Sequence, residues 1–419
     1  MSELAWIDAA MTAARPQAIG ALLRYFRDLD TAEEAFQDAC LRALKAWPRN
    51  GPPRDPAAWL ILVGRNSGID ATRRASRHSE LPPEDVLSEL GDAETPMAER
   101  LDGGDYRDDV LRLMFICCHP DLPPSQQIAL ALRVVCGLTV PQIARAFLVG
   151  DSAMEQRITR AKARIARADV PFDAPGAPER AERLGAVADM IYLVFNEGYS
   201  AADDPQRARA TLCGEAIRLA RLLLRLSPAE PEVMGLLALM LLQHARAMAR
   251  VDASGQIVLL EDQDRSLWNR TMIGEGLALL DKAIRHRRRG PHQTRAAIAA
   301  LHARAARPED TDWTQIERLY AALEVLEPSP VVTLNRAVAV SKASGPADAL
   351  AMIEPLEGRL GGYFYFFGVK GALLTQLGRP AEARAAFDRA IGLASTATEA
   401  AHIRNHLDRL MKDSASAEA

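Results

Sequence analysis

A chain of 419 residues with 48% hydrophobic content has ample apolar material for burial, and its formal net charge of −4 gives no bulk attraction to nucleic acid, so any such attraction must be local. The longest apolar run, Val233 to Leu242, is far short of a bilayer span, and the start lacks the basic-then-apolar pattern of a secretory leader. A membrane protein is thereby excluded and a cytoplasmic one expected.

Five cysteines, Cys40, Cys117, Cys118, Cys136 and Cys213, lie inside apolar helical segments. They read as reduced, packed thiols rather than a disulfide framework. Cys117 and Cys118 beside His119 in "FICCHP" are adjacent and point to different sides of a helix, which is a poor start for a tetrahedral metal site. Alternating β-branched runs are nearly absent, while Ala, Leu, Arg and Glu recur at helical spacing. The expected fold class is all-α.

In chain order, residues 1–78 read as three or four helices broken at "WPRNGPPRDP". The stretch 28–47 is an acidic amphipathic helix with Asp30, Glu33, Glu34 and Asp38 on its polar positions. The next helix, 55–77, gathers Arg65, Arg73, Arg74 and Arg77 around Asn66 and Asp70. Trp47 and Trp59 fall in apolar patterns and read as core. Residues 79–109 carry eleven acidic against two basic side chains among scattered Pro and Gly, so they read as a linker.

Residues 110–168 reverse the balance, with eight basic against three acidic. Within them, Thr139 with Gln142 and Ser152 with Glu155 have capping-box spacing, and "LVGD" lies between, with Gly150 available for a left-handed turn. This is a helix-turn-helix pattern. Met154, Ile158, Ala161 and Ile165 fall on one face of the second helix, leaving Gln156, Arg157, Thr159, Arg160, Ala163, Arg164 and Arg167 toward solvent. Arg and Gln read guanine and adenine edges in the major groove, although a plain αα-hairpin with a solvated cationic face has the same pattern.

After "DVPFDAPGAPER" comes a long helical region. "FNEGYSA" at 195–201 reads as a helix C-terminus capped by Gly198 or as a contact loop, and "RHRRRG" at 285–290 as a solvated basic turn. "GPADALAMIEPL" at 345 and "RPAEARAAFDRA" at 379 are offset by 34 residues, with Pro346 over Pro380, Ala349 over Ala383 and Ala337 over Gly371. That is the tetratricopeptide period, with small residues where paired helices approach. The aromatic run "GGYFYFFG" reads as repeat core.

Over residues 10–168 the order and spacing of the acidic helix, the Arg-rich helix and the helix-turn-helix resemble the extracytoplasmic-function sigma factors of bacterial RNA polymerase, of the sigma-70 class. With "LRLMFICCHP" and the helical tail, the whole layout is similar to the subgroup bearing a tetratricopeptide-like extension. The resemblance implies a sigma domain two at 1–78, an acidic linker at 79–109, a sigma domain four at 110–170 and a regulatory α-solenoid at 171–419. It implies that Asp30, Glu33, Glu34 and Asp38 face the polymerase clamp. Arg65, Asn66, Asp70, Arg73, Arg74 and Arg77, with the loop residues Arg49 and Asn50, would meet the minus-ten element. Ser152, Gln156, Arg157, Thr159, Arg160 and Arg164 would read the minus-thirty-five element.

The implied partners are core RNA polymerase and promoter DNA, with a regulatory protein or an intramolecular contact for the tail; no cofactor, metal or membrane is implied. The acidic linker reads either as a solvated spacer or as a polyanion lying in the polymerase's nucleic-acid channel. A stand-alone helix-turn-helix regulator with a tetratricopeptide sensor is the alternative. An enzyme is disfavoured, since no phosphate-binding glycine loop, nucleophile elbow or metal-ligand cluster occurs.

Overall fold

The computed structural model describes residues 5–51, 53–76, 104–147, 149–168, 177–200, 210–250, 252, 258–394, 400, 403–404 and 407. The linker expectation for 79–109 therefore falls almost wholly outside the described residues, as does Arg77. Among the described residues every regular element is helical, as the periodicity predicts. Two compact units divide the chain: residues 1–197 with 214–226, and residues 198–213 with 227–419.

The first unit opens with three helices, α1 (Ala5–Phe26), α2 (Leu29–Asn50) and α3 (Pro56–Ser76), packed on one another. Only Arg27 and Asp28 join α1 to α2; Arg27 takes a positive φ of 55°, and Asp28 caps α2 by accepting from the Thr31 amide at 2.7 Å. Gly51, at φ 79°, ends α2 by donating its amide to the Trp47 carbonyl. Asp55 caps α3, accepting from the amides of Ala57 and Ala58. Glycine lets these helices approach: a Cβ on Gly64 would stand 2.9 Å from the Ala35 carbonyl oxygen. Trp47 is buried and Trp59 half-buried, their rings edge-to-face at 5.4 Å, which bears out the core reading of both.

Helices α4 (Gly104–Cys117), α5 (Pro124–Val134), α6 (Val140–Ala146) and α7 (Asp151–Arg167) follow, and α8 (Ala177–Ser200) and α9 (Ala210–Leu226) contribute most of their length to the same unit. Cys117, Cys118 and Cys136 are buried free thiols, and burial pushes the Cys118 thiol up to about 12, so they pack as neutral apolar groups.

Two local expectations need correction. Thr139 and Gln142 form the reciprocal capping box, but Ser152 does not cap α7. The N-cap is Gly150, with an ordinary φ of −69°, because its carbonyl already accepts from the Met154 amide; Ser152 is thus inside the first turn. Gly198 caps nothing either, since α8 continues through Ser200, so "FNEGYS" is the end of a helix rather than a loop.

The second unit is built around α10 (Pro231–His244), which is buried on nearly every side, with α11 (Arg270–Arg285) and α12 (Pro291–Arg304) against it. Gly290 offers α12 no capping side chain. Glu232 of α10 supplies the cap instead, accepting from the His292 and Gln293 amides and from Gln293 Nε2 at 2.8 Å. At the other end of α12, Arg265 donates to the His302 and Ala305 carbonyls. The remainder continues as paired helices: α13 (Trp313–Leu326) with α14 (Pro330–Ala343), α14 with α15 (Pro346–Ile353), and, after the short α16 (Glu357–Leu360), α17 (Phe364–Gln376) with α18 (Pro380–Leu393). The 34-residue offset relates α15 to α18 at their prolines, and Ala337 and Gly371 are both buried; a Cβ on Gly371 would stand 2.5 Å from the Phe387 ring of the next helix. Phe364, Phe366 and Phe367 belong to that core, as the aromatic run suggests, whereas Tyr365 is exposed. The basic turn 285–290 is largely exposed, with Arg288 paired to Glu230.

Candidate nucleic-acid and polymerase interfaces

The helix-turn-helix is α6 and α7. Met154, Ile158, Ala161 and Ile165 are buried, the stripe that the sequence period demands, and this turns Gln156, Thr159 and Arg160 fully outward with Arg157 half-exposed. Ser152 is exposed at the start of the same helix. Arg164 is exposed too, but its Nη1 donates to the Asp121 carbonyl at 3.0 Å, so it ties α7 to the turn before α5. The face left over is polar, cationic and one helix wide. Such a face fits a major groove about 12 Å across.

At the other cluster, Arg49 and Asn50 are exposed at the end of α2, and Arg65 and Asn66 are exposed midway along α3. The Arg65 guanidinium lies 4.4 Å from the centre of the Tyr25 ring, which fixes its stem while leaving its donors outward. Asp70, Arg73 and Arg74 lie further along α3; their side chains are outside the described set.

The four acids of α2 do not share one environment. Asp30, Glu34 and Asp38 are exposed, and Asp38 accepts from Ser67 Oγ at 2.7 Å, pinning α2 to α3. Glu33 is only 4% exposed. It accepts from Arg15 Nη2 at 3.1 Å and pairs with Lys162 Nζ at 2.6 Å, and the same ammonium pairs with Asp30 at 2.6 Å. A buried carboxylate between two cations is stable there because each charge has lost water but gained a partner. Burial pulls the Lys162 ammonium down, but the hydrogen bonds it donates to Asp30 and Glu33 more than reverse this, so it stays charged. Arg15 also donates to the Val134 and Arg133 carbonyls at the end of α5, where the helix leaves acceptors unsatisfied.

Arg15, Lys162 and Asp109 are the residues that sequence reasoning missed. Asp109 is 2% exposed and meets Arg24 and Arg112. The one available signal was Lys162 itself, the single lysine in an otherwise arginine-decorated helix.

Comparison with known proteins gives these surfaces a context. Residues 11–78 match sigma-70 region 2, residues 112–165 match sigma-70 region 4, and residues 183–284 match a family of unknown function, DUF6596. An uncharacterized protein of Rhizobium meliloti (strain 1021) is 69% identical over 415 residues, covering 99% of this chain and 98% of that protein. The probable ECF RNA polymerase sigma factor SigI of Mycobacterium tuberculosis (strain ATCC 25618 / H37Rv) is 28% identical over 165 residues, 39% of this chain and 56% of SigI. The ECF RNA polymerase sigma factor SigM of the same strain is 28% identical over 141 residues, 34% of this chain and 65% of SigM. The match thus spans less than two thirds of either sigma factor. Region 2 coincides with α1–α3 and region 4 with α4–α7. The chain therefore belongs to the sigma-70 family as an extracytoplasmic-function sigma factor that directs promoter recognition, with a helical C-terminal extension.

Proposed function

We propose that this chain joins core RNA polymerase through the acidic face of α2 and reads two promoter elements with separate helices. Asp30, Glu34 and Asp38 are the exposed carboxylates of that face, and Glu33 is their buried anchor. Gln156, Arg157, Thr159 and Arg160 read minus-thirty-five base edges, with Ser152 at the rim and Arg164 holding the helix in place. Arg49, Asn50, Arg65, Asn66, Asp70, Arg73, Arg74 and Arg77 meet the minus-ten strand. There the arginines neutralise phosphate, while Asn and Asp hydrogen-bond an unstacked base. Catalysis of RNA synthesis belongs to the polymerase. The extension modulates this activity in cis; in support, the Rhizobium meliloti relative matches this chain over nearly its whole length, extension included.

The observation that carries the reading is the outward set on α7, Gln156, Thr159 and Arg160, presented by a helix whose opposite stripe is fully used in packing. The test is promoter-library DNA challenged with heparin. Core polymerase with the full chain should form resistant complexes that neither forms alone. Tight sequence-specific duplex binding by the chain alone, unaffected by core, would instead support a stand-alone regulator.

A further inference from the structure

In the second unit, Arg246 and Arg250 flank the short 3-10 turn Ala247–Ala249, Arg265 opens the turn Arg265–Leu267, and Arg270 starts α11. The two turns pack on each other. Arg246 Nη2 donates to the Tyr199 hydroxyl at 2.9 Å, and the Arg250 guanidinium lies 3.6 Å from the centre of the same ring while its Nη1 donates to the Tyr199 carbonyl at 2.6 Å. Arg246 and Arg265 both lie over the Trp268 ring, 6.0 Å and 4.7 Å from its centre, and Arg270 donates to the Arg265 carbonyl at 3.3 Å. All six residues fall within 183–284, the stretch that matches the family of unknown function.

Among the described residues no carboxylate pairs with any of the four cations. The nearby acids are used elsewhere: Glu309 and Asp310 pair with Arg307, Glu261 pairs with Lys342, and Asp264 caps its own turn. Burial, and then the like charges of Arg246 and Arg270, pulls the Arg265 guanidinium down. Two donors in the cluster are also unanswered: Arg265 Nε and Trp268 Nε1 have no partner, in residues only 9% and 3% exposed. A packing role accounts for Arg265 Nη1 on the His302 and Ala305 carbonyls and for Arg250 on Tyr199. It does not account for four gathered cations with no counter-charge, because an aromatic face offsets only part of their repulsion.

We infer that this cluster is an oxyanion site that takes the phosphate group of a small molecule. A phosphate monoester carries close to two negative charges and three acceptor oxygens, so it answers more of these donors than a carboxylate does. Arg265 and Trp268 are buried and Arg246 and Arg250 half-buried, whereas Ser266, Asn269 and Arg270 are exposed beside them. A terminal phosphate can enter such a site from the exposed side; the backbone of a duplex, lying along a surface, cannot. Occupancy would tie the end of α8 to both turns and, through Arg265, to the end of α12, and so stabilise the second unit by mass action.

Nothing in this site depends on promoter reading, so the test uses the full chain alone, isotopically labelled at its five tryptophans. Trp268→Phe assigns the Trp268 indole N–H resonance. Titration with inorganic phosphate at constant ionic strength should shift that resonance saturably, and chloride in its place should not. Glycerol phosphate separates the two sources of the group: tighter binding than inorganic phosphate assigns the site to an ester, weaker binding to the free ion. Arg246→Gln and, independently, Arg250→Gln should each weaken phosphate binding about tenfold with helix content by circular dichroism unchanged. Arg289→Gln, at an exposed arginine of the same unit, should leave it as it was. Arg246→Lys keeps the charge but not the planar fork, and should weaken binding in the same sense if the glutamine variants do not fold. The absence of a saturable Trp268 shift overturns the proposal, as does an equal shift with chloride or unchanged phosphate affinity in the folded variants.

Discussion

Glu33 lies between Arg15 and Lys162, at 3.1 Å and 2.6 Å, and this one carboxylate links α1, α2 and α7. Its neighbour Glu34 faces solvent. Two adjacent glutamates on an acidic helix therefore have different jobs, and substitution separates them. Glu33→Ala leaves two cations short of a partner in a buried setting and should destabilise the first unit by about 3–5 kcal/mol. Glu34→Ala should leave the urea midpoint within error while weakening core polymerase binding. Equal unfolding midpoints for the two variants would contradict the assignment.

Thr139 and Ser152 make a second pair of look-alikes. Thr139 accepts from the Gln142 amide and Gln142 Oε1 accepts from the Thr139 amide at 2.8 Å, whereas Ser152 makes no cap. Thr139→Ala should cost about 1 kcal/mol. Ser152→Ala should cost nothing measurable, or gain a few tenths of a kcal/mol from helix propensity. Chemical denaturation of the full chain, followed in the first transition, reads both.

What was legible in the sequence was whatever repeats along one helix. The stripe Met154, Ile158, Ala161, Ile165 and the offset of Pro346 from Pro380 both follow from short-range periods that geometry imposes on any packed helix. What was not legible was pairing between distant segments. Nothing near Glu33 distinguishes it from Glu34, because its burial is decided by Arg15 and Lys162 on other helices. Likewise Glu232 reads as an ordinary first-turn acid, yet it caps a different helix through Gln293. The Ser152 error has a local cause: Gly150, Asp151 and Ser152 are all acceptable helix starts, and the hydrogen bond from Met154 to Gly150 chooses among them.

Gly235 on α10 is a packing requirement. A Cβ there would stand 2.7 Å from the Gln293 backbone nitrogen and 2.8 Å from its Cα, atoms that cannot swing aside. Gly235→Ala gains about 1 kcal/mol of helix propensity but forces α10 from α12, so a net loss of about 1–3 kcal/mol is expected in the second unit. An unchanged or raised melting temperature would refute the close approach.

His302 gives the second unit a pH dependence of known sign. Burial, and then the nearby Arg246 and Arg265 charges, push its imidazole down to about 4. The folded pKa is below the unfolded one near 6.5, so the unfolded chain binds the proton first as pH falls. The stability this group contributes is complete above about pH 6.5 and is lost on acidification toward 4, on the order of 2–3 kcal/mol. His302→Phe, which keeps a ring against Trp313, should flatten that part of the stability–pH profile. A profile identical to that of the unsubstituted chain between pH 6.5 and 4 would show that His302 is not its source.

The most direct test of the sigma-factor account is run-off transcription from a promoter library with purified core polymerase and the full chain, alongside Arg157→Ala/Arg160→Ala and Arg73→Ala/Arg74→Ala. The account predicts initiation with the unsubstituted chain, loss of minus-thirty-five-dependent initiation with the first pair, and retained core binding with lost promoter opening for the second. Absence of initiation from every promoter, with a folded chain that binds duplex DNA on its own, would contradict it.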